Sequence, residues 1–301
     1  LEVLNKYKTK LSLFVDAGFL LKLKENSTKH KILSAEFNKI KQHLCRLKTA
    51  GHDIQLHIHP HWEDSYYRDG NWFIVHKRFR LHDFGNKDLN QIVASYKNTL
   101  VGMVGDSIFA YRAGGWCLQP FAQIAQALKD NGIWLDSTVF AGGKSENSQR
   151  AYDFSQAPEK SFWRFSDDPL REDSNGFFLE VPISSLNLSP MFFWKMILLK
   201  KLGGTIHKSY GDGTIIKNNL TYNLRRLLTK TPSVVSIDGI KSGKLAAAYQ
   251  KAKKSQSDIF NIMGHPKSLS PYSIKNLAVF LHSTNDLQPV TYQDFIQYKP
   301  V

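Results

Sequence analysis

Three histidines alternate in the stretch GHDIQLHIHPHW, residues 51–62: His57, His59 and His61. Alternate side chains of a strand share a face, so a strand here gathers three imidazoles on one side. Such a row either lines a polar edge or holds a metal. Neutral imidazoles suit a borderline divalent cation, zinc first, with cobalt or nickel as alternatives. A carboxylate would complete the site, and Asp16 closes the apolar run KLSLFVDA, residues 10–17. Asp16, His57 and His61 are therefore the candidate metal ligands. Three protein ligands leave a position for water, whose pKa on such an ion falls to about 7. His59 lies between the other two imidazoles and can replace either as ligand; otherwise it faces substrate.

Further reactive groups end other predicted strands. Arg112 closes SIFAYR (107–112), Asp136 closes IWLD (133–136), and His265 follows DIFNIMG (258–264). In parallel α/β folds the carboxyl ends of the strands carry the active site, so these groups are expected on one rim with Asp16 and the histidines. Trp62 and Trp116 flank the motifs. Their ring faces suit the apolar side of a sugar, although a core role fits them equally. In RAGGW, Gly114 and Gly115 permit a close backbone approach. No Gly-x-Ser-x-Gly elbow is present, which argues against a serine hydrolase.

Periodicity supplies the elements that must position these groups. Strands are predicted at 10–17, 52–59, 107–112, 133–136, 176–184, 233–238 and 258–264. Helices are predicted at 33–51, near 87–103, and at 118–132, 243–254 and 270–283. Residues 141–175 are polar and read as a long loop. Strand–helix repetition argues for an α/β fold with a mainly parallel sheet, and six or seven units suggest a barrel. With no linker rich in Pro or Gly, residues 1–301 read as one domain.

The balance of 40 Lys and Arg against 26 Asp and Glu gives a formal charge of +14. This favours anionic partners such as an acidic glycan or a membrane surface. Nucleic acid is the weaker choice, because the basic residues are scattered and no zinc-finger or RNP-like motif appears. Cys45 and Cys117 are too few for a disulfide framework and are expected as free thiols in a reducing compartment. No signal peptide or spanning segment is visible, and the chain reads as cytoplasmic. Residues 191–204, MFFWKMILLKKLGG, form a core helix or, alternatively, a helix resting on a membrane surface.

Taken in order, the strand-ending Asp16, GHDIQLHIHPH, YRAGGW, DSTVF and IMGHP resemble the motifs of polysaccharide deacetylases with NodB homology. The resemblance runs from about residue 10 to 295 and includes the closing PVTYQDF. It is strongest to the branch acting in bacterial surface-polysaccharide (O-antigen or capsule) synthesis. The resemblance implies a distorted (β/α)7 barrel, here with a long insertion in the second half. It also implies a divalent metal on Asp16, His57 and His61, and removal of an N-acyl group, acetyl first, from an amino sugar. On the same basis His265 is the general acid, Asp136 supports it, and Arg112 orients a catalytic carboxylate. One departure stands out. The family has two aspartates at the first strand end, whereas Val15 and Ala17 flank Asp16 here. Glu63, Asp64 or Asp136 could replace the lost carboxylate, or His59 could complete the metal site and free Asp16 as base. The rival readings are a non-catalytic glycan-binding barrel and a hydrolase of another C–N bond.

Overall fold

The first apolar run forms β1 (Ser12–Asp16), preceded by a short helix, α1 (Glu2–Lys6). Asp16 ends the strand and also caps α2 (Ala17–Ser27), its carboxylate accepting from Phe19 N–H at 3.5 Å. The amphipathic α3 (Lys31–Thr49) follows, and Gly51, at φ +83°, turns the chain into β2 (Asp53–Ile58). Next come a hairpin of β3 (Tyr66–Arg68) and β4 (Asn71–Phe73), then α4 (Asn86–Val104), β5 (Ala110–Ala113), α5 (Ala122–Asp130) and β6 (Leu135–Asp136). The computed structural model describes residues 1–147, 150–211, 220–284 and 286–300.

The polar stretch 141–175 is not an irregular loop. It carries the antiparallel hairpin β7 (Gly143–Asn147) and β8 (Arg150–Phe154), then β9 (Trp163–Phe165); residues 148 and 149 lie outside the described residues. The strands are hidden in the sequence because their outward side chains are charged. Lys144 pairs with Asp153 at 3.0 Å and with Glu146 at 3.3 Å, while Tyr152 and Phe154 pack inward on Phe140. The chain continues through β10 (Phe178–Glu180), β11 (Ser185–Leu188), α6 (Pro190–Leu202), α7 (Leu220–Leu228), β12 (Thr231–Val234), α8 (Leu245–Lys254) and α9 (Pro271–Ser283).

The fold is mixed α/β around a six-stranded sheet of order β1-β2-β5-β6-β10-β9, parallel except for β9. Alternation divides its residues between two cores. Ile54, Leu56, Ile58 and Tyr111 pack under the helices, while Ala110, Leu135, Leu179 and Val181 face inward with Tyr292 and Phe295. Each fully buried aliphatic side chain contributes about 1.5–3 kcal/mol.

The expected closed barrel is not formed by these ladders. Among the described residues, the predicted strands 233–238 and 258–264 meet only in one parallel bridge, Ser236↔Met263. Side chains compete for the backbone there: Asn261 N–H donates to Ser184 Oγ and Asp238 N–H to Ser236 Oγ, each at 2.9 Å. Neither Cys45 nor the buried Cys117 is in a disulfide.

Candidate active site

Register across the sheet sets one row of reactive groups. Asp16 is the partner of His57, and His57 of Arg112, across β1, β2 and β5. Residues in register on parallel strands face the same way, so all three side chains line the inner face. Trp62 Nε1–H holds Asp16 Oδ2 at 2.9 Å. Burial raises the Asp16 carboxyl above its ordinary range, against the opposing pull of His57 and Trp62. Trp62 itself is only 9% exposed and packs on Phe19 and Trp72. It is therefore a support for Asp16, not the sugar platform that its place in the sequence suggested; the hairpin β3–β4 covers the ring.

The imidazoles form a contiguous series. Ring centroids are 4.6 Å apart for His57 and His59, 5.4 Å for His59 and His61, and 5.0 Å for His61 and His76. His57 Nδ1 lies 2.8 Å from the Arg112 carbonyl. A carbonyl only accepts, so Nδ1 carries the proton and the lone pair is on Nε2. Burial holds His57 and His59 down to about 3 and His61 to about 4, leaving all three neutral at neutral pH. The Nδ1 atoms of His59 and His61 are buried with no hydrogen-bond partner among the described residues. His61 is stacked between Trp62 and Phe79, whereas His59 meets His57 edge to face.

His265 also reaches this rim, within electrostatic reach of His59. Its partner is Asp238. One carboxylate oxygen of Asp238 accepts from His265 N–H and the other faces Nδ1, both at 2.7 Å. Burial opposes ionisation of Asp238, but the hydrogen bonds from His265 and Ser236 outweigh it and hold the carboxyl below its usual value. Lys241, lowered to about 8 by burial, lies within electrostatic reach of Asp238. Asp238, and not Asp136, is thus the carboxylate that stands against His265. The sequence carried the signal, since Asp238 ends the predicted strand 233–238 just as the other reactive groups end theirs.

Asp136 lies elsewhere because of strand parity. It is in register with Tyr111, not Arg112, and therefore faces the helix side of the sheet beside Glu180. It accepts from Thr138 N–H at 2.9 Å and Thr138 Oγ1–H at 2.8 Å. Burial raises both carboxyls, Glu180 well above its ordinary 4.5, and a proton on Glu180 lets it donate to Asp136. A raised folded value contributes stability below the unfolded pKa, which is lost as pH rises through the folded value. Glu180→Gln cannot ionise. Its stability relative to the parent should therefore grow above pH 4.5, by roughly 1 kcal/mol per pH unit, until Glu180 ionises in the folded parent. Urea midpoints from pH 5 to 9 would read this out, and parallel curves would show that the pair is not protonated.

Arg112 does not fork onto a carboxylate as expected. Its Nε–H donates to the Ser137 carbonyl at 2.7 Å and its Nη2 to Ser137 Oγ at 2.9 Å. The guanidinium also stacks 4.1 Å over Phe14. Ser137 belongs to a polar group with Tyr292 and Asn261 that the sequence reading missed. Two substitutes for the lost carboxylate are also committed elsewhere. Asp64 is held by Arg78 at 2.6 and 3.0 Å, and Glu63 lies against Tyr96.

The glycine pair after Arg112 makes room, as expected. A Cβ on Gly114 would sit 2.6 Å from the Ile58 carbonyl and 2.7 Å from His59 Nδ1. Gly114→Ala must displace the His59 ring, at a cost of about 1–3 kcal/mol. The expected result is a lower melting temperature together with reduced turnover; an unchanged protein would mean that His59 is not clamped. Trp116, half-buried, takes an unusual φ of +62° and packs on Phe140 and Tyr152. Of the two tryptophans it remains the one with a partly open ring.

Among the described residues, no three His, Cys, Asp or Glu side chains converge on a point that would hold a metal ion. Asp16, His57 and His61 supply suitable donors, and burial keeps the imidazoles unprotonated. The match to a divalent cation is thus one of donor type and protonation, not of geometry.

No family model and no curated protein matches the sequence. Among solved structures, one that matches is a crystal structure described as a "putative polysaccharide deacetylase from Mycobacterium smegmatis". It is 12% identical with a TM-score of 0.48, covering 99% of this chain and 74% of the other.

Proposed function

We propose that this rim is a hydrolytic centre that removes an N-acyl group, acetyl first, from an amino sugar of a bacterial surface polysaccharide. The observation that carries the reading is the His265–Asp238 pair within electrostatic reach of a row of neutral histidines, whose first member, His57, is in register with Asp16. Amide hydrolysis needs a base for water and an acid for the departing amine, and both types of group are present. The cation donors in this reading are Asp16, His57 and His61, with His59 as the alternative that frees Asp16 to act as base. A bound zinc-like ion supplies a polarised carbonyl and an ionisable water.

The chain's own residues do the remaining work. Trp62 fixes the orientation of the Asp16 carboxylate, and in the alternative with His59 as donor that carboxylate, its affinity for a proton raised by burial, takes the proton of the water. Asp238 holds the His265 ring so that the opposite nitrogen can pass a proton to the leaving nitrogen. Trp116 offers a partly open ring to the apolar face of a sugar. The formal +14 charge draws acidic glycans toward the site.

The test is acid release. Zinc-supplied protein incubated with N-acetylated amino-sugar oligosaccharides should yield acetate and an equal amount of free amine. Binding of those sugars without release would favour a glycan-binding protein, a reading that rests on the missing second carboxylate beside Asp16. Release of formate or a ring-opened product from other amides would instead identify a different C–N hydrolase.

A further inference from the structure

The α6–α7 hairpin is built inside out on its outer side. Phe192 and Phe193 of α6 are buried against Leu188 and Leu227. On the opposite face, Met191, Trp194, Leu198 and Leu202 fall at the spacing of one helix stripe and are 56–78% exposed. Leu224 and Leu228, one turn apart on α7, are 51% and 77% exposed. An apolar stripe of this kind normally points into a core. The Trp194 indole N–H is already satisfied, donating to the Leu227 carbonyl at 3.2 Å, so its ring can enter an apolar medium without stranding a donor.

Charge identifies what covers the stripe. Residues 190–230 contain eight Lys and Arg and one acidic residue, a formal +7, half the charge of the chain. Lys195, Lys200, Lys201 and Arg225 are exposed on the same two helices, and Lys230 is exposed just beyond α7. Apolar side chains interleaved with cations are the pattern of a helix lying in a lipid interface next to anionic headgroups. No helix in the described residues is long and apolar enough to cross a membrane, so the surface can rest on a bilayer but not span it. The segment following α6 leads back to the rim: Tyr210 N–H donates to the Leu269 carbonyl at 2.8 Å, four residues beyond His265.

We infer that α6 and α7 form a docking face for an anionic phospholipid membrane, set beside the rim that carries His265. The inference is independent of the reaction proposed above.

The probe is vesicles of phosphatidylcholine with about one third phosphatidylglycerol, compared with pure phosphatidylcholine, in co-sedimentation and tryptophan emission. The full chain should sediment with the anionic vesicles only, with a blue-shifted emission, and should be released by salt. Trp194→Ser with Leu198→Ser should abolish binding. Lys200→Gln with Lys201→Gln should weaken it roughly fivefold per charge removed; this pair also serves if the serine variant folds poorly. Absence of binding to anionic vesicles, or binding that neither variant alters, overturns the inference. So does a dimer of the free chain that Leu198→Ser dissolves, since a second copy would then cover the stripe.

Discussion

Replacing His265 with alanine should lower turnover on an N-acetyl amino sugar by about 10²–10⁴-fold, the usual scale of general acid–base catalysis. An amine leaves poorly unless it gains a proton, and His265 is the rim imidazole with a carboxylate fixed behind it. The variant should remain folded, because the side chain is 44% exposed and packs little. Leaving-group chemistry separates an acid from a structural residue. The nitrophenolate of a nitrophenyl acetate ester departs without protonation, so His265→Ala should keep most of its activity on that ester. Asp238→Asn should show the same bias more weakly, since it leaves the ring in place but loosens it. Equal losses on amide and ester would demote both residues to structural roles.

The second large effect is expected at His57. With Nδ1–H committed to the Arg112 carbonyl, its Nε2 is a buried lone pair directed away from the strand backbone. His57→Ala should cost about 10²–10³-fold in turnover, the scale of losing one preorganised electrostatic contact in a transition state. Unlike the change at His265, this loss should extend to the activated ester, because attack on the carbonyl is impaired whatever the leaving group. Parallel alanine variants at His59 and His61 decide which second imidazole matters. A loss at His61 with a mild effect at His59 supports the set Asp16, His57 and His61. The reverse pattern makes His59 the donor and Asp16 the base. An active His57→Ala variant would remove the imidazole row from the chemistry altogether.

Much of the site's framework was legible because the sheet's first strands are apolar runs closed by one polar group. Asp16, His57 and Arg112 ended their runs in the sequence and stand in one register row in the fold. Side-chain parity was not legible. Asp136 also ends a run, yet a register shift of one residue puts it on the opposite face, where it pairs with Glu180. Asp238 meets the same criterion, but nothing local says that strand 233–238 lies beside the one leading to His265. Such adjacency is long-range, here a single bridge between Ser236 and Met263. The hairpin at 143–154 was invisible for a different reason: its exposed Lys144, Glu146 and Asp153 gave a strand the composition of a loop. Trp62 reads as a sugar platform in sequence, and only the hairpin folded over it shows that its polar edge serves Asp16.

The proposed chemistry depends on one cation held by Asp16 and the histidines of β2 and its following turn. Elemental analysis of protein dialysed against trace zinc, parent beside His57→Ala, measures this. Close to one metal ion per chain is expected in the parent and a small fraction of that in the variant. A parent without stoichiometric metal, or a variant that retains its full complement, would show that these side chains do not form a cation site.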